Sequence, residues 1–370
     1  MKKLRVIISG GGTGGHIFPA LAIAKSLEEK VDEIEFLFVG AKNRMEMEKV
    51  PLSGYPIKGL WISGLQRRFT SKNLLFPFKL LFSLIRAFQI VKKFKPDIAI
   101  GTGGFASGPL MYVAAKKNIP CIIQEQNSYP GITNKILSKY VNKICVAYDK
   151  MERFFPKEKL IYTGNPIRKE LLNLPNEKTK SFEHFKINKD AFTVLVIGGS
   201  LGALSINSAI KNGLVKIKQS QINLIWQTGL PFFNIANQSV NEINSKNIIA
   251  YPFIKEMDLA YNVADIVVSR AGAIAISELC CIGKPTILVP SPNVSEDHQY
   301  KNAQSLVNKN AAVLVKDIEA NSKLVNKLID LINDKKTQKK LSDNIKKLSK
   351  KDATDDIVKI CLEMLKDEYK

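Results

Sequence analysis

The sequence predicts an α/β protein built from two doubly wound parallel sheets. Short apolar runs alternate with longer helical patterns along its 370 residues, which is typical of parallel strands joined by crossover helices. The alternation occurs in two series, separated by Gly164-Asn165-Pro166 and a polar stretch over 173–190. Each series opens with a strand, a glycine-rich turn and a helix. We therefore expect two similar halves that face each other across a cleft.

Apolar runs of strand length define the elements of each half. The first series contains Leu4–Ser9, Glu35–Val39, Asp97–Gly101, Pro120–Gln124, Lys143–Ala147 and Leu160–Thr163. The second contains Thr193–Ile197, Asn223–Gln227, Asn247–Ala250, Asp265–Ser269, Pro285–Val289 and Ala312–Val315. The predicted domains are residues 1–163 and 164–340, and the closing helices at 341–370 are expected to pack back on the first domain.

Composition excludes several classes of protein. Hydrophobic residues make up 45% of the chain and the mean hydropathy is −0.05, as in ordinary globular proteins. We find no run of about 20 uncharged apolar residues and no secretory signal pattern, so neither a membrane span nor a cleaved leader is expected. The five cysteines are scattered, and the three histidines have no metal-ligand spacing. Free thiols in a reducing compartment and no bound metal are the expectations.

The net charge of +21 indicates an anionic partner: a nucleic acid, an anionic membrane or a phosphorylated substrate. The segment 49–96 contains ten Lys and Arg residues and no Asp or Glu, and the apolar run Leu74–Ile85 lies within it. An apolar face ringed by bases is typical of docking on anionic lipid, although a core helix with basic flanks would give the same pattern. Its aromatic residues alternate with Leu and Ile rather than with polar residues, which disfavours nucleic acid.

The first glycine loop, Gly10–His16, lies between a strand and a predicted helix Phe18–Glu29, with Pro19 expected in the first helical turn. Such glycines allow a ligand to approach the backbone, and a helix amino terminus favours negative charge. The loop also matches the weak dinucleotide fingerprint. The second strand, however, ends in Val39-Gly40-Ala41 without the acidic residue that would hold a ribose, which disfavours NAD.

Further glycine turns follow other strands. Gly101–Pro109 is the second loop, and Gly198–Ala203 opens the second half with Ser200 placed to meet a pyrophosphate. Ser269–Glu278 is another strand-to-helix turn. Glu278 could accept hydrogen bonds from two ribose hydroxyls or could simply complement the helix dipole, and the sequence leaves both roles open.

Taken together, these segments resemble the MurG family of UDP-N-acetylglucosamine (UDP-GlcNAc) transferases. The matching motifs lie in the expected order and cover almost the whole chain: Gly11–His16, Gly103-Gly104-Phe105-x-Ser107-Gly108-Pro109, Glu125-Gln126-Asn127, Gly164-Asn165-Pro166-x-Arg168, Gly198-Gly199-Ser200-x-Gly202-Ala203, Gly272-Ala273 to Glu278, and Gln299-Tyr300-x-Asn302-Ala303. The chain departs from the family pattern at Gln124, where histidine is frequent, and at Ile274-Ala275, where leucine and threonine are frequent.

The resemblance implies a GT-B fold of two Rossmann-like domains, with the donor bound mainly by the second. The implied UDP-GlcNAc site comprises Thr13, Gly14, Gly15, Asn127, Arg168, Ser200, Ile254, Ala273, Ile274, Ala275, Ile276, Ser277, Glu278 and Gln299. Within it, Ile254 would present backbone groups to uracil, Ser200 would meet the diphosphate, and Arg168 would favour the donor's anionic part. Gly103, Gly104, Phe105 and Ser107 are predicted to bind the acceptor.

The reaction implied is an inverting transfer of N-acetylglucosamine to a lipid-linked muramyl-pentapeptide, without cofactor or metal. His16 is the favoured general base, because its ordinary pKa lies near working pH, and Glu125 is the other candidate. The implied partners are UDP-GlcNAc, the lipid acceptor, an anionic membrane surface and cell-wall synthesis proteins, at the cytoplasmic face of the inner membrane. Another UDP-sugar lipid transferase, a UDP-GlcNAc epimerase and a non-catalytic nucleotide-sugar binder remain alternatives.

Overall fold

The computed structural model describes residues 3–64, 74–172, 174, 175, 177–294 and 297–365. It contains two compact units. Unit 1 comprises Met1–Ile167 and Lys350–Lys370, and unit 2 comprises Arg168–Ser349. The chain passes between the units at 167/168 and at 349/350, four and nine residues after the predicted boundaries at 163/164 and 340/341.

Unit 1 is a seven-stranded parallel sheet with the strand order β3-β2-β1-β4-β5-β6-β7. Its strands are β1 Leu4–Ser9, β2 Ile34–Ala41, β3 Ile57–Leu60, β4 Ile98–Gly101, β5 Cys121–Glu125, β6 Lys143–Val146 and β7 Leu160–Tyr162. Its helices are α1 Gly14–Glu28, α2 Glu46–Leu52, α3 Phe76–Phe94, α4 Ser107–Lys116, α5 Ile132–Leu137 and the closing helix α14 Ala353–Leu365. Short 3₁₀ turns lie at Met151–Arg153 and Lys157–Lys159.

The strands of unit 1 are buried on both faces of the sheet. Val6, Ile7 and Ile8 of β1 are fully buried, as expected for a parallel sheet whose two faces are covered by helices. One hydrophobic core lies beneath α3 and α4 and the other beneath α1 and α14. The closing helix packs on α1, and Gly164 lies against Lys350 and Ala353.

Unit 2 is a six-stranded parallel sheet with the order β10-β9-β8-β11-β12-β13. Its strands are β8 Thr193–Ile197, β9 Asn223–Gln227, β10 Ile248–Tyr251, β11 Ile266–Ser269, β12 Thr286–Leu288 and β13 Val313–Leu314. Its helices are α6 Thr179–Phe185, α7 Leu204–Gln219, α8 Leu230–Ile243, α9 Met257–Val263, α10 Ala273–Ile282, α11 His298–Val307, α12 Ala320–Asn333 and α13 Lys335–Lys346, with 3₁₀ turns at Lys169–Leu171 and Asp317–Glu319.

The α/β class with two doubly wound sheets is confirmed, and all twelve predicted strands are present within two residues of their predicted ends. The edge strand β3, Ile57–Leu60, was missed. It is only four residues long and includes Gly59, which is unfavourable in strands, so it has no clear strand pattern of its own. Pairing with β2 supplies its stability.

The glycine loops lie where the strand order of each sheet reverses. In unit 1 the reversal falls between β1 and β4, which the first and second loops follow, and in unit 2 it falls between β8 and β11. Carboxyl ends of strands at such a switch point are where doubly wound sheets bind ligands. The topology therefore places one candidate binding site in each unit.

In the described part of the chain, no helix has both the length and the apolar character needed to cross a bilayer.

Candidate active site

Helix α1 begins earlier than the sequence indicates. Its first residue is Gly14, so His16 lies in the first helical turn and Pro19 lies inside the helix. The predicted start at Phe18, with Pro19 in the first turn, is wrong because Gly14 and Gly15 already adopt helical backbone. A proline inside a helix has no N–H to donate. The early start directs the His16 side chain back toward the glycine loop.

The hydrogen bonding of His16 identifies which ring nitrogen can act as a base. Nδ1 lies 2.9 Å from the Gly11 carbonyl oxygen and 3.3 Å from the Thr13 hydroxyl. A carbonyl oxygen only accepts hydrogen bonds, so Nδ1 carries the proton and donates it, and in the neutral imidazole Nε2 carries the lone pair. A Cβ placed on Gly103 would lie 3.2 Å from Nε2. The basic nitrogen of His16 thus faces the second glycine loop.

The first and second glycine loops pack directly on each other. The Gly11 N–H donates to the Gly103 carbonyl oxygen at 3.4 Å. Gly104 has φ of +83°, and a Cβ there would lie 2.3 Å from the Gly11 carbonyl oxygen and 3.2 Å from His16 Nδ1. Glycine is required at 104 by both backbone conformation and space.

Gly104→Ala is therefore expected to lower the free energy of unfolding of unit 1 by about 2–3 kcal/mol, because the new methyl group meets a backbone oxygen and the backbone is strained. Urea denaturation of the two proteins measures this change. Gly131→Ala is the matched control: Gly131 has ordinary φ and no atom within 4 Å of the added Cβ. A Gly104→Ala protein as stable as this control would contradict the packing described.

Glu125, the second candidate base, ends β5 and is almost fully buried. Its Oε1 accepts hydrogen bonds from the Asn127 N–H at 3.0 Å and Nδ2 at 3.2 Å. Its Oε2 accepts from Asn134 Nδ2 at 2.9 Å and the Gly131 N–H at 3.2 Å. Burial raises the pKa of this carboxyl, and these four donors oppose the rise. Each oxygen of Glu125 already accepts two hydrogen bonds, which fix the loop that carries Asn127. A carboxylate engaged in this way is less available to take a proton from a substrate hydroxyl, which favours His16 as the base.

Sequence reasoning missed Gln126, which lies beside His16. Its Nε2 donates to the Thr102 carbonyl oxygen at 2.6 Å and to Gln124 Oε1. Its Oε1 is buried and has no hydrogen-bond partner among the described residues. A Cβ on Gly103 would lie 3.4 Å from this oxygen and 3.2 Å from His16 Nε2, so both groups border the same glycine. Such an unsatisfied acceptor suits a ligand hydroxyl.

Two predicted acceptor-binding residues stabilise the second loop from within. The fully buried Ser107 hydroxyl donates to the Gly104 carbonyl oxygen at 2.8 Å. The Phe105 ring packs over Gly12, where a Cβ would lie 3.2 Å from it, and the Arg44 guanidinium lies 5.9 Å from the ring centroid. The contacts of Gly103, Gly104, Phe105 and Ser107 with an acceptor stay predictions.

In unit 2, the third glycine loop exposes Ser200 and is held by close backbone packing. A Cβ on Gly202, which has φ of +79°, would lie 1.9 Å from the Thr228 carbonyl oxygen. The Gly202 N–H donates to the Gly199 carbonyl oxygen at 3.1 Å, which closes the turn. Next to it, α10 begins at Ala273 after Gly272, where an added Cβ would meet no atom within 4 Å. An open helix start beside an exposed hydroxyl suits a diphosphate.

Arg168 and Glu278, which the sequence assigns to different parts of the donor, pair with each other. Arg168 Nε donates to Glu278 Oε1 at 2.9 Å and a terminal nitrogen donates to Oε2 at 3.1 Å. The Tyr261 hydroxyl lies 3.4 Å from Oε2. Burial acts to lower the pKa of the guanidinium, but the Glu278 carboxylate raises it. Glu278 is therefore oriented by a bidentate partner and retains lone pairs for further donors.

The segment predicted to meet uracil is oriented by Gln227, which sequence reasoning also missed. Gln227 Oε1 accepts the Ile254 N–H at 2.9 Å, and its Nε2 donates to the Gly199 carbonyl oxygen at 3.0 Å. One amide thus links the third glycine loop to Ile254. Because the Ile254 N–H is engaged, its carbonyl is the backbone group best placed for a base.

The other predicted donor contacts also lie at the carboxyl ends of the strands. Gln299, in the first turn of α11, accepts the Ser291 N–H at 2.9 Å. The Ser277 hydroxyl donates to the Ala273 carbonyl oxygen at 3.1 Å. Ala273, Ile274, Ala275 and Ile276 form the first turn of α10, and Thr13, Gly14 and Gly15 open α1 in unit 1. Among the residues that the structure describes, no three His, Cys, Asp or Glu side chains are grouped to hold a metal ion.

Comparison with known proteins identifies the family. Residues 6–146 match the glycosyltransferase family 28 N-terminal domain and residues 193–357 match the glycosyltransferase family 28 C-terminal domain. A protein of Christiangramia forsetii named UDP-N-acetylglucosamine–N-acetylmuramyl-(pentapeptide) pyrophosphoryl-undecaprenol N-acetylglucosamine transferase is 51% identical over 355 residues, which cover 96% of each chain. A protein of the same name from Cytophaga hutchinsonii is 49% identical over 369 residues, which cover 100% of this chain and 99% of that protein.

Solved structures agree with this assignment. The crystal structure of MurG from Acinetobacter baumannii superposes with a TM-score of 0.79 at 26% identity, covering 98% of this chain and 100% of that one. UDP-GlcNAc 2-epimerase from Neisseria meningitidis, at 14% identity and a TM-score of 0.66 over 98% of this chain and 100% of its own, shares the fold alone. The chain belongs to the MurG family of glycosyltransferase family 28.

Proposed function

We propose that this chain transfers N-acetylglucosamine from UDP-GlcNAc to N-acetylmuramyl-(pentapeptide) pyrophosphoryl-undecaprenol, the step that completes the lipid-linked disaccharide of peptidoglycan. The observation that carries this proposal is the near 50% identity, over almost the full length of both chains, to proteins named for that reaction. Unit 2 binds the nucleotide sugar in this proposal, and unit 1 binds the acceptor and supplies the base.

The donor contacts follow from the geometry of unit 2. The Ile254 carbonyl accepts the uracil N–H, and Glu278, oriented by Arg168, accepts the two ribose hydroxyls. Ser200 and the start of α10 bind the diphosphate, where backbone N–H groups and the helix dipole offset its growing charge. The first turn of α10 and Gln299 are the remaining residues of unit 2 that we propose to contact UDP-GlcNAc. Thr13, Gly14, Gly15 and Asn127 of unit 1 are proposed to contact the same donor.

The chemistry proposed is a single displacement. A hydroxyl of the acceptor muramyl sugar attacks the anomeric carbon of N-acetylglucosamine, and His16 Nε2 takes the hydroxyl proton. The new carbon–oxygen bond forms as the bond to the β-phosphate oxygen breaks, and UDP leaves with that electron pair. The configuration at the anomeric carbon inverts. Gln126 Oε1, beside His16, is proposed to accept a hydrogen bond from a sugar hydroxyl.

The lipid acceptor requires contact with a bilayer, and unit 1 presents a suitable surface. Seven apolar side chains at 74–88 are 47–75% exposed: Leu74, Leu75, Phe78, Leu81, Phe82, Ile85 and Phe88. We call them the interfacial face. Most recur at three- and four-residue spacing on one side of α3, while Ala87, Ile90 and Val91 pack into the core. The helix therefore has a core side and an exposed apolar side, and the exposed side supports the proposal of docking on lipid.

Cations adjoin the interfacial face. Lys117 lies 4.4 Å from the Phe88 ring centroid. A cavity of about 430 Å³ at its edge is lined by Lys42, Gly59, Trp61, Phe82 and Arg86. Arg67, Arg68 and Lys72 of the same basic segment lie outside the described residues. We propose that the chain docks peripherally on the anionic cytoplasmic face of the inner membrane through this surface.

In the double variant Phe78→Ser, Leu81→Ser, the partition coefficient onto vesicles containing phosphatidylglycerol is expected to fall by about tenfold or more, because two exposed apolar side chains that contact the lipid are lost. Co-sedimentation with vesicles measures the partition coefficient. Leu230→Ser, Ile235→Ser is the matched control, since these exposed residues lie in unit 2. Equal losses in both double variants would refute docking through the interfacial face.

Release of UDP in the presence and absence of a short-chain muramyl-pentapeptide lipid tests the proposed reaction. Release that depends on the acceptor, with one N-acetylglucosamine added to the lipid by mass, is the expected result. Release from UDP-GlcNAc alone would instead indicate an epimerase or hydrolase. Binding without any release would indicate a nucleotide-sugar binder.

A further inference from the structure

A fully buried carboxylate lies beneath the first glycine loop. Glu46 is the first residue of α2 and has no exposed surface, and Val50, one turn later, is buried on the same side of the helix. The neighbouring Glu48 is exposed and pairs with Lys49. Burying a carboxylate is costly unless its oxygens are hydrogen-bonded, so the contacts of Glu46 indicate what it does.

Both oxygens of Glu46 accept backbone N–H groups. Oε1 accepts from Ala41, at the end of β2, at 2.9 Å, and Oε2 accepts from Gly12 at 2.9 Å. A Cβ on Gly11 would lie 2.2 Å from Oε1, and one on Gly40 would lie 2.4 Å from Glu46 Cγ. Glycine at 11 and 40 therefore makes room for Glu46, and at Gly11 the group that approaches the backbone is a side chain of the protein itself.

A single peptide group connects Glu46 to His16. The N–H of the Gly11–Gly12 peptide belongs to Gly12 and donates to Glu46, whereas its C=O belongs to Gly11 and accepts from His16 Nδ1 at 2.9 Å. The hydrogen bonds thus run from imidazole to peptide to carboxylate. A peptide group that donates to an anion becomes a stronger acceptor at its carbonyl, because hydrogen bonds in a chain polarise one another.

We infer that Glu46 is a positioning residue that acts on His16 through the Gly11–Gly12 peptide group, an inference that rests on the proposed role of His16 as base. The polarised Gly11 carbonyl holds the proton on Nδ1 and so keeps the lone pair on Nε2. It also stabilises the imidazolium formed when Nε2 takes the acceptor proton. This is the task of the buried carboxylate in Ser–His–Asp triads, with a peptide inserted between the two side chains.

The test is the tautomer of His16, read from the ¹⁵N chemical shifts of its ring at a pH where the imidazole is neutral. In the unsubstituted protein we expect the proton on Nδ1. In Glu46→Gln we expect a mixture of both tautomers, with kcat lowered about tenfold and KM for UDP-GlcNAc within about twofold. Glu48 lies on the same helix but is exposed, so Glu48→Gln is expected to leave both the tautomer of His16 and kcat unchanged.

Two outcomes would overturn the inference. One is a proton on Nε2 in the unsubstituted protein, a measurement that does not depend on whether the variant folds. The other is an unchanged tautomer in Glu46→Gln, even with reduced kcat, since a purely structural role would lower activity without moving the proton. If His16→Gln kept full turnover, the base assignment would fail, while the ¹⁵N shifts would still decide the role of Glu46.

Discussion

Replacement of His16 by alanine is expected to lower kcat by about 100-fold or more, with KM for UDP-GlcNAc nearly unchanged. The reason is that the acceptor hydroxyl loses its proton acceptor, and a positioned general base contributes roughly 10²- to 10⁴-fold. The Nδ1 donor bond to Gly11 leaves Nε2 as the basic atom of the neutral ring, so the loss should fall on the chemical step. Steady-state kinetics with both substrates varied measures it.

Two further variants separate the chemistry of His16 from its packing. His16→Gln keeps a side-chain donor that can reach the Gly11 carbonyl but has no basic nitrogen, and it should lose as much turnover as alanine. His184→Ala removes a half-exposed histidine of unit 2 that pairs with Glu256, and it should retain full activity. Turnover within threefold of the unsubstituted protein in His16→Ala would eliminate His16 as the base.

Glu278→Ala is expected to raise KM for UDP-GlcNAc about 10- to 100-fold with a smaller change in kcat. The substitution removes the carboxylate proposed to accept both ribose hydroxyls and leaves the Arg168 guanidinium without its bidentate partner. A hydrogen bond to a charged group is worth about 1.5–3 kcal/mol, which corresponds to this range of affinity. Titration of the protein with UDP-GlcNAc measures the loss directly.

A double-mutant cycle with Arg168→Gln and Glu278→Gln measures the coupling free energy between the two residues in binding UDP-GlcNAc. If Arg168 serves only to orient Glu278, the double variant should bind the donor as weakly as Glu278→Gln alone. Additive losses would instead mean that Arg168 contacts the donor separately. Glu319→Gln, an exposed carboxylate paired with Lys323, is the control within unit 2. Unchanged donor affinity in Glu278→Ala would contradict the proposed ribose site.

The strands and glycine loops could be predicted because their signals are local. The β1 segment Leu4–Ser9 is a continuous apolar run, as expected for a strand buried on both faces, and a glycine-rich turn follows it directly. Pairing of β1 with β4 then places the glycine-rich turns that follow these two strands next to each other. By contrast, the start of α1 could not be located, since glycine and proline are both unfavourable in helix interiors.

The supporting side chains of the site could not be found in this way, because their partners are distant in sequence. Glu46 differs from the exposed Glu48 only in sharing a helix face with Val50, and its contact with Gly12 spans 34 residues. Gln227 reaches Ile254 across 27 residues. The sequence does contain one signal for Glu46, because glycine at both 11 and 40 allows a close contact with the backbone. At Gly11 the sequence predicts that a ligand makes this contact, whereas in the structure the Glu46 side chain does.

The configuration of the newly formed glycosidic bond shows whether the transfer is a single displacement. Transfer from UDP-GlcNAc to a soluble muramyl-pentapeptide lipid analogue would be carried out, and the anomeric proton coupling of the disaccharide product measured by NMR. A hydroxyl activated by His16 that displaces UDP in one step inverts the α-linked donor, so we expect a β linkage alone. An α-linked product would contradict this mechanism, because attack from the face opposite the departing UDP cannot retain the configuration of the donor.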